Sequence, residues 1–236
     1  ELEKQLNDLL RTLPNPCLPT VPIGKDSADN RVVEIWGQPP TFAFAAKPHW
    51  ELGPALDIID FDRGARLSGS GFVMLKGLGA KLSRALIAWF LDEHTASGYL
   101  ELAPPYLVQS SMMVGTGQLP KFADQFYACR DDDLVLIPTA EVPVTNYLGG
   151  EILEASDLPK LFTAHTPCFR REAGAAGIGT RGMTRVHQFD KVELVWLSTV
   201  ERSEADLLTM RGQAEALLRK LGLHYRCLLY TSDAAD

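Results

Sequence analysis

Thr166-Pro-Cys-Phe-Arg-Arg-Glu-Ala-Gly-Ala-Ala-Gly-Ile-Gly-Thr-Arg-Gly-Met-Thr-Arg-Val-His-Gln-Phe-Asp-Lys-Val-Glu193 is the stretch on which the reading of this chain turns. Its flanks, residues 161–169 and 186–196, are apolar and strand-like. Between them lies a loop carrying Gly174, Gly177, Gly179 and Gly182. Two strands joined by a glycine-rich loop predict a hairpin with a long tip. The hairpin carries Arg170, Arg171, Arg181 and Arg185, with Glu172 at its start and Glu193 at its end. A guanidinium offers planar, paired donors that match phosphate oxygens, so such a hairpin can hold a polyphosphate. Its carboxylates can bind the cationic or donating parts of the same ligands. The other reading of this pattern is a solvated surface laced with weak ion pairs.

The chain around the hairpin is 236 residues long and 46% hydrophobic, enough for one sizeable core. A net charge of -7 argues against a general nucleic-acid binder, so any RNA contact must be local or lie outside this chain. Cys17, Cys129, Cys168 and Cys227 are far apart, with no CxxC pair and no zinc-ligand spacing to a His. They read as free thiols in a reducing cytoplasm. No apolar run reaches the roughly 18 residues of a membrane helix, and the N-terminus does not read as a signal peptide.

Upstream, Leu2, Leu6, Leu9, Leu10 and Leu13 stand at helical spacing and predict the end of an amphipathic helix over residues 1–13. Residues 14–54 are rich in proline and read as a connector, with extended pieces at 32–36 and 41–44. His49, beside Trp50, reads as a packed histidine with no catalytic role. Residues 60–77 predict a short helix, a turn at Gly69 and Gly71, and a strand. Residues 78–97 give the clearest helix, with Leu82, Leu86, Trp89 and Phe90 on one face and Gly98 as its stop. A strand over 99–103 ends at Pro104-Pro105, and the stretch 115–122 is a polar turn with an aromatic anchor. A short buried strand at 134–137 leads into Pro138-Thr-Ala-Glu-Val-Pro143, where Thr139 and Glu141 can point into one cleft. A helix is expected over 146–153. A second is expected over 203–221, with Leu207, Leu208, Met210, Ala214, Leu217, Leu218 and Leu221 as its core face. A strand begins at 223–226, whereas residues 227–236 read as a non-native tail, an in-frame translation of adaptor sequence, and are set aside.

Phe169-Arg-Arg-Glu172, the glycine-rich loop and Arg185-Val-His-Gln-Phe-Asp-Lys-Val-Glu193 resemble motif 2 of the class II aminoacyl-tRNA synthetases, in its seryl version. The helix at 78–97 with its strand and proline resembles motif 1, which builds the dimer interface in that family. His49-Trp-Glu-Leu-Gly53 and the stretch 115–122 resemble further segments of the seryl enzymes. The resemblance covers residues 1–226. It implies an α+β fold, an antiparallel sheet flanked by helices, incomplete at the C-terminus. Residues 1–13 would be the end of a tRNA-binding coiled-coil arm, and 14–226 a catalytic core with motifs 1 and 2. A third motif, carrying another ATP-binding Arg, is not seen, so the chain is expected to be an inactive, marginally folded fragment.

The resemblance also implies chemistry: serine and ATP form seryl-adenylate, and serine then passes to the 3′ end of tRNA(Ser). Arg170 would bridge the α-phosphate and the serine carboxylate, with Arg171 beside it at the ATP site. Arg185 would hold the terminal phosphates. Glu172 would meet the adenine amino group, Val186 would give a backbone contact, and Phe189 would stack on the ring. Thr139, Ala140 and Glu141 would take the serine ammonium, and Glu193 the side-chain hydroxyl. ATP with Mg²⁺, a homodimer and a cytoplasmic location are implied too, though no metal ligand is identified in the chain. Two alternatives remain: a synthetase-like ligase that loads an amino acid onto a carrier protein, and a non-catalytic paralogue that binds tRNA or a partner.

Overall fold

A computed structural model of the chain describes residues 1–13, 16–173 and 181–231. In chain order its elements are α1 (Leu2–Leu10), β1 (Arg31–Trp36), α2 (His49–Ala55), β2 (Ile59–Asp60), α3 (Phe61–Ser68), β3 (Met74–Leu75) and α4 (Leu78–Ala96). There follow β4 (Leu100–Glu101), β5 (Leu107–Gln109), α5 (Ser110–Gly115), β6 (Leu134–Leu136), α6 (Glu141–Thr145), β7 (Lys160–Phe169), β8 (Gln188–Leu197), α7 (Ser203–Lys220) and β9 (Tyr225–Leu229). Two compact units form, one from residues 45–206 and one from 1–44 with 207–236.

The larger unit is built on the predicted hairpin. β7 and β8 pair antiparallel without a break from Lys160↔Leu197 to Phe169↔Gln188. Successive strand side chains point to opposite faces, so Phe162 and Ala164 of β7 reach a core that also holds Ala140 and Val144. A second cluster gathers Val108, Met113, Phe126, Val135, Ile137 and Val142 around the antiparallel pair β5–β6. The Phe169 N–H donates to Ile137 O at 2.9 Å, tying the end of that pair to the end of β7. The sheet is not wholly antiparallel, because β4 lies parallel to β7 through Leu100↔Phe162.

α4 forms as predicted, and Gly98 with φ +93 ends it by taking a left-handed conformation that a side chain would disfavour. Its apolar stripe is only partly covered: Trp89 and Phe90 are half-buried, but Leu82 is 58% and Leu78 73% exposed. The helix expected over 146–153 does not form. α6 stops at Thr145, and Asn146 turns its amide onto Val142 O (2.8 Å) and Met112 O (3.0 Å), closing the helix end. The two glycines that follow favour a turn over helix.

In the smaller unit β1 pairs antiparallel with β9, from Arg31↔Leu229 to Trp36↔Tyr225. Residues 227–229, set aside on sequence, are therefore part of a strand. Residues 41–44 are not a strand; they follow Pro39-Pro40, which lack ladder donors. The core face expected for α7 is largely wrong. Leu207, Leu208 and Leu221 are 53%, 57% and 39% exposed, Ala214 is exposed too, and of that set only Leu217 is buried. Charged groups occupy the inner face instead. Glu215, 7% exposed, sits between Arg211 and Arg219, and both arginines reach Glu34 on β1 at 2.7 Å. The i, i+4 spacing of the three residues lets one helix face carry the network. α1 also forms, but its leucines stay between 52% and 83% exposed.

Candidate active site

The hairpin register puts Ala164 opposite Glu193, Thr166 opposite Lys191 and Cys168 opposite Phe189. On β8, period-two alternation therefore places Phe189, Lys191 and Glu193 in a row on one face. Thr139, in the turn after β6, meets this row. Its buried hydroxyl donates to Glu193 Oε2 at 2.6 Å. It accepts from Lys191 Nζ at 2.8 Å and from the Glu141 backbone N–H at 3.2 Å. Lys191 Nζ lies 2.5 Å from the same carboxylate oxygen. A hydroxyl has one proton and two lone pairs, so Thr139 is fully used. Ala140 is entirely buried in the core, backbone and side chain together, so it shapes the turn and offers no open surface to a ligand. Glu141 opens α6 with an exposed side chain. Desolvation by the surrounding protein raises its carboxyl pKa, the charge of Glu193 adds to this, and Lys191 offsets part.

Arg170 stands at the other end of the row. Its Nε donates to Pro138 O at 3.3 Å and its guanidinium carbon lies 5.2 Å from the Phe189 ring centroid, a cation–π contact. Its backbone is held on both sides: the N–H donates to His187 O at 2.9 Å, and Arg170 O lies 2.9 Å from His187 Nδ1. A carbonyl only accepts, which places a proton on Nδ1. Tyr127 Oη is 3.0 Å from the same nitrogen, and Phe72 stacks on the imidazole at 5.2 Å. Cys168, in the same sheet, is fully buried, and burial pushes its thiol pKa up, away from reactivity.

The remaining predicted residues form a second group. The Arg171 N–H donates to Gln125 O at 2.9 Å while its side chain is exposed. Gln125 also exchanges two hydrogen bonds with Ala173, at 3.1 and 3.2 Å. Glu172 has φ +48, a strained backbone for a non-glycine residue of the kind found at functional positions. Its Oε2 lies 3.1 Å from Arg185 Nη1, so two residues assigned to opposite ends of ATP meet each other here. Val186 is buried and Phe189 half-buried, and both line a cavity of about 650 Å³ beside α3, β3 and α4. That cavity takes in none of the polar cluster around Thr139, so it does not mark the centre of the site. Gly174, Gly177 and Gly179 lie outside the described residues.

Sequence reasoning missed Lys191, Gln125, Tyr127 and His187. Lys191 was findable, since it stands two residues before Glu193 on a strand and must share its face. Gln125 and Tyr127 gave no signal, because their contacts span 48 and 60 residues of chain.

Residues 126–235 match the family described as the tRNA synthetase class II core domain (G, H, P, S and T). The chain is 52% identical to the serine–tRNA ligase of Geobacter sulfurreducens over 98% of its own length and 56% of that protein's. It is 50% identical to the serine–tRNA ligase of Fervidobacterium nodosum, covering 99% of the chain and 55% of the relative. Among solved structures it superposes on the seryl-tRNA synthetase of Pyrococcus horikoshii complexed with ATP with a TM-score of 0.95 at 35% identity, covering 99% of this chain and 57% of that one. The cytoplasmic serine–tRNA ligase of Naegleria fowleri in complex with AMP gives 0.92 at 26% identity, over 99% and 56%.

The hairpin, its row of charged side chains and these likenesses define a class II tRNA synthetase fold of the α+β type. Within that class the chain belongs to the seryl-tRNA synthetase family. It spans about 56% of the length of the curated relatives it matches.

Proposed function

We propose that the whole protein is a serine–tRNA ligase, which activates L-serine with ATP and passes it to tRNA(Ser). The observation that carries this reading is the single sheet face holding Thr139, Lys191 and Glu193 at one end and Arg170 over Phe189 at the other. The serine carboxylate and the α-phosphate are both anionic, so their approach needs a fixed cation between them. Arg170 is such a cation, with its backbone pinned by His187. Glu141 receives the serine ammonium, which reaches Thr139 by taking the place of the Lys191 ammonium on its hydroxyl, while buried Ala140 shapes the turn between the two. The hydroxyl of serine goes to Glu193, which already accepts one hydroxyl from Thr139. Phe189 and the Val186 backbone take the adenine ring, Glu172 its amino group, and Arg171 and Arg185 the phosphates.

Mg²⁺ accompanies ATP in this reading and would neutralise phosphate charge. Among the described residues no group of three or more His, Cys, Asp or Glu side chains could hold a metal. No step is assigned to the ion. A second copy of the chain is the proposed partner of α4, whose Leu78 and Leu82 are exposed. Cytoplasmic residence is proposed with it; no described helix is long and apolar enough to cross a membrane.

The test is serine-dependent ATP–pyrophosphate exchange by the protein of the full reading frame. A site built to bond a hydroxyl can reject the analogue lacking it by about 10⁴-fold, so alanine should be activated far less than serine. Glu193→Ala should raise the KM for serine by roughly 10- to 100-fold, the range for a hydrogen bond to a charged group, and leave the KM for ATP nearly unchanged. Equal activation of alanine and serine by the unmutated protein would remove the serine assignment.

A further inference from the structure

The pair His49-Trp50 has no place in the chemistry above, yet the returning limb of the hairpin is fastened to it. His49 Nε2 accepts the Met183 N–H at 2.8 Å across 134 residues of chain. An N–H donates only to a lone pair, so Nε2 is unprotonated and the ring proton sits on Nδ1. Gly182 has φ +79, and a Cβ there would lie 2.2 Å from His49 Nε2 and 3.0 Å from Trp50. Glycine is thus required both by the backbone and by the closeness of the two rings. The Arg181 guanidinium carbon stands 5.4 Å from the Trp50 ring centroid. Further along, the His187 N–H donates to Gly71 O at 3.0 Å, and Val186 is buried.

Arg185 therefore stands midway between two fixed points, Met183 on His49 and His187 on Gly71. Its own side chain is 57% exposed, so the backbone, more than packing, aims the guanidinium. We infer that His49 and Trp50 are positioning residues for Arg185, holding the limb so that the guanidinium meets the terminal phosphates of a nucleoside triphosphate. This rests on the ligase reading, in which Arg185 holds those phosphates. His49 touches no substrate. It acts through the Met183 backbone, and Trp50 acts through Arg181 and Gly182.

The experiment compares ATP with AMP, because AMP lacks the groups that Arg185 would hold. The protein of the full reading frame is titrated with each nucleotide by calorimetry, as the wild type and as H49A, H49Q and G182A, with melting temperatures recorded alongside. H49A should weaken ATP by about 3- to 10-fold, the worth of one hydrogen bond, and leave AMP unchanged. H49Q keeps an acceptor within reach of the Met183 N–H and should recover most of the loss. G182A should repeat the H49A pattern from the other side of the contact. A purely structural role would weaken both nucleotides together, and that outcome overturns the inference. So does unchanged ATP binding in H49A and G182A while the wild type binds ATP well. A wild type that binds neither nucleotide overturns the ligase reading itself, and the inference with it.

Discussion

The two ends of the candidate site are built differently. At one end Thr139, in the turn after β6, interlocks at 2.5–2.8 Å with Lys191 and Glu193 of the sheet face, its hydroxyl fully engaged. At the other, Glu172 and Arg185 make one ion pair at 3.1 Å, and the Arg185 side chain is 57% exposed. Strand-held groups lose little further freedom when a ligand arrives, whereas loop-held groups must still be ordered. The first end suits a small ligand that has to be told from near neighbours. The second suits a polyphosphate, which needs charge more than shape. Arg170 joins the two, since its backbone pairs with the limb at His187 while its side chain lies over the sheet at Phe189.

The sharpest way to break this contrast is at the junction. Arg170→Ala should lower exchange by about 10²- to 10³-fold, the usual cost of removing one preorganised charge donor. Arg170→Lys should rescue little, because an ammonium is a point charge and cannot make a planar paired contact. Both variants should keep their melting temperature within a few degrees, since among the described residues the side chain gives one long hydrogen bond and one ring contact. A lysine variant with near-normal exchange would show that Arg170 shapes the fold and does not meet the reacting groups.

The same contrast explains what could be read from sequence. The hairpin was legible because its flanks are apolar and a glycine-rich loop joins them, and β7 and β8 begin and end within about two residues of the reading. Motif spacing also placed Arg170, Glu172, Arg185 and Glu193 on that hairpin. Sequence could not show that Glu172 and Arg185 would pair, because they stand 13 residues apart and no local spacing rule links them. Nor could it give the Arg211–Glu215–Arg219 network, which turned the expected leucine face of α7 outward. Period 3.6 says which residues share a face. It does not say whether a partner strand offers Glu34 or a hydrophobic surface to that face.

A middle-sized effect should appear at Glu141, where site and stability pull apart. Desolvation, and then the charge of Glu193, raise its carboxyl pKa above the ordinary 4.5. The sign follows from linkage. The folded protein favours the protonated form, so this group's contribution to stability is fully present below 4.5 and is lost as pH rises through the raised value. At neutral pH the ionised carboxylate opposes Glu193. Glu141→Gln should therefore raise the melting temperature at pH 7, and the gain should shrink as the pH falls through the raised value and be gone below 4.5. The same variant should weaken serine, since the ammonium loses a carboxylate partner. Thermal melts across pH, set beside the KM for serine, check both halves. A gain that grows on acidification would reverse the assignment.

The smallest effect belongs to the Glu172–Arg185 pair. Exposed ion pairs contribute roughly 0–1 kcal/mol, since solvent screens them and two long side chains must be ordered. Glu172→Gln should thus leave the melting temperature nearly unchanged and its salt dependence slightly weaker. The weakness of the pair suits the ligase reading. If Arg185 is to hold phosphate and Glu172 an adenine amino group, their mutual contact has to exchange for ligand contacts, and a strong pair would oppose that. In ATP binding the variant weakens the adenine contact, because a neutral amide oxygen accepts less strongly, but it also loosens Arg185, so the two changes should largely offset. AMP has no terminal phosphates and should lose affinity with no such compensation. Titrating both nucleotides into Glu172→Gln therefore separates the two ends of the hairpin: a fall in AMP affinity larger than the fall in ATP affinity is expected. A large loss of stability would show instead that this limb is as firmly built as the sheet, and the contrast between the two ends would no longer hold.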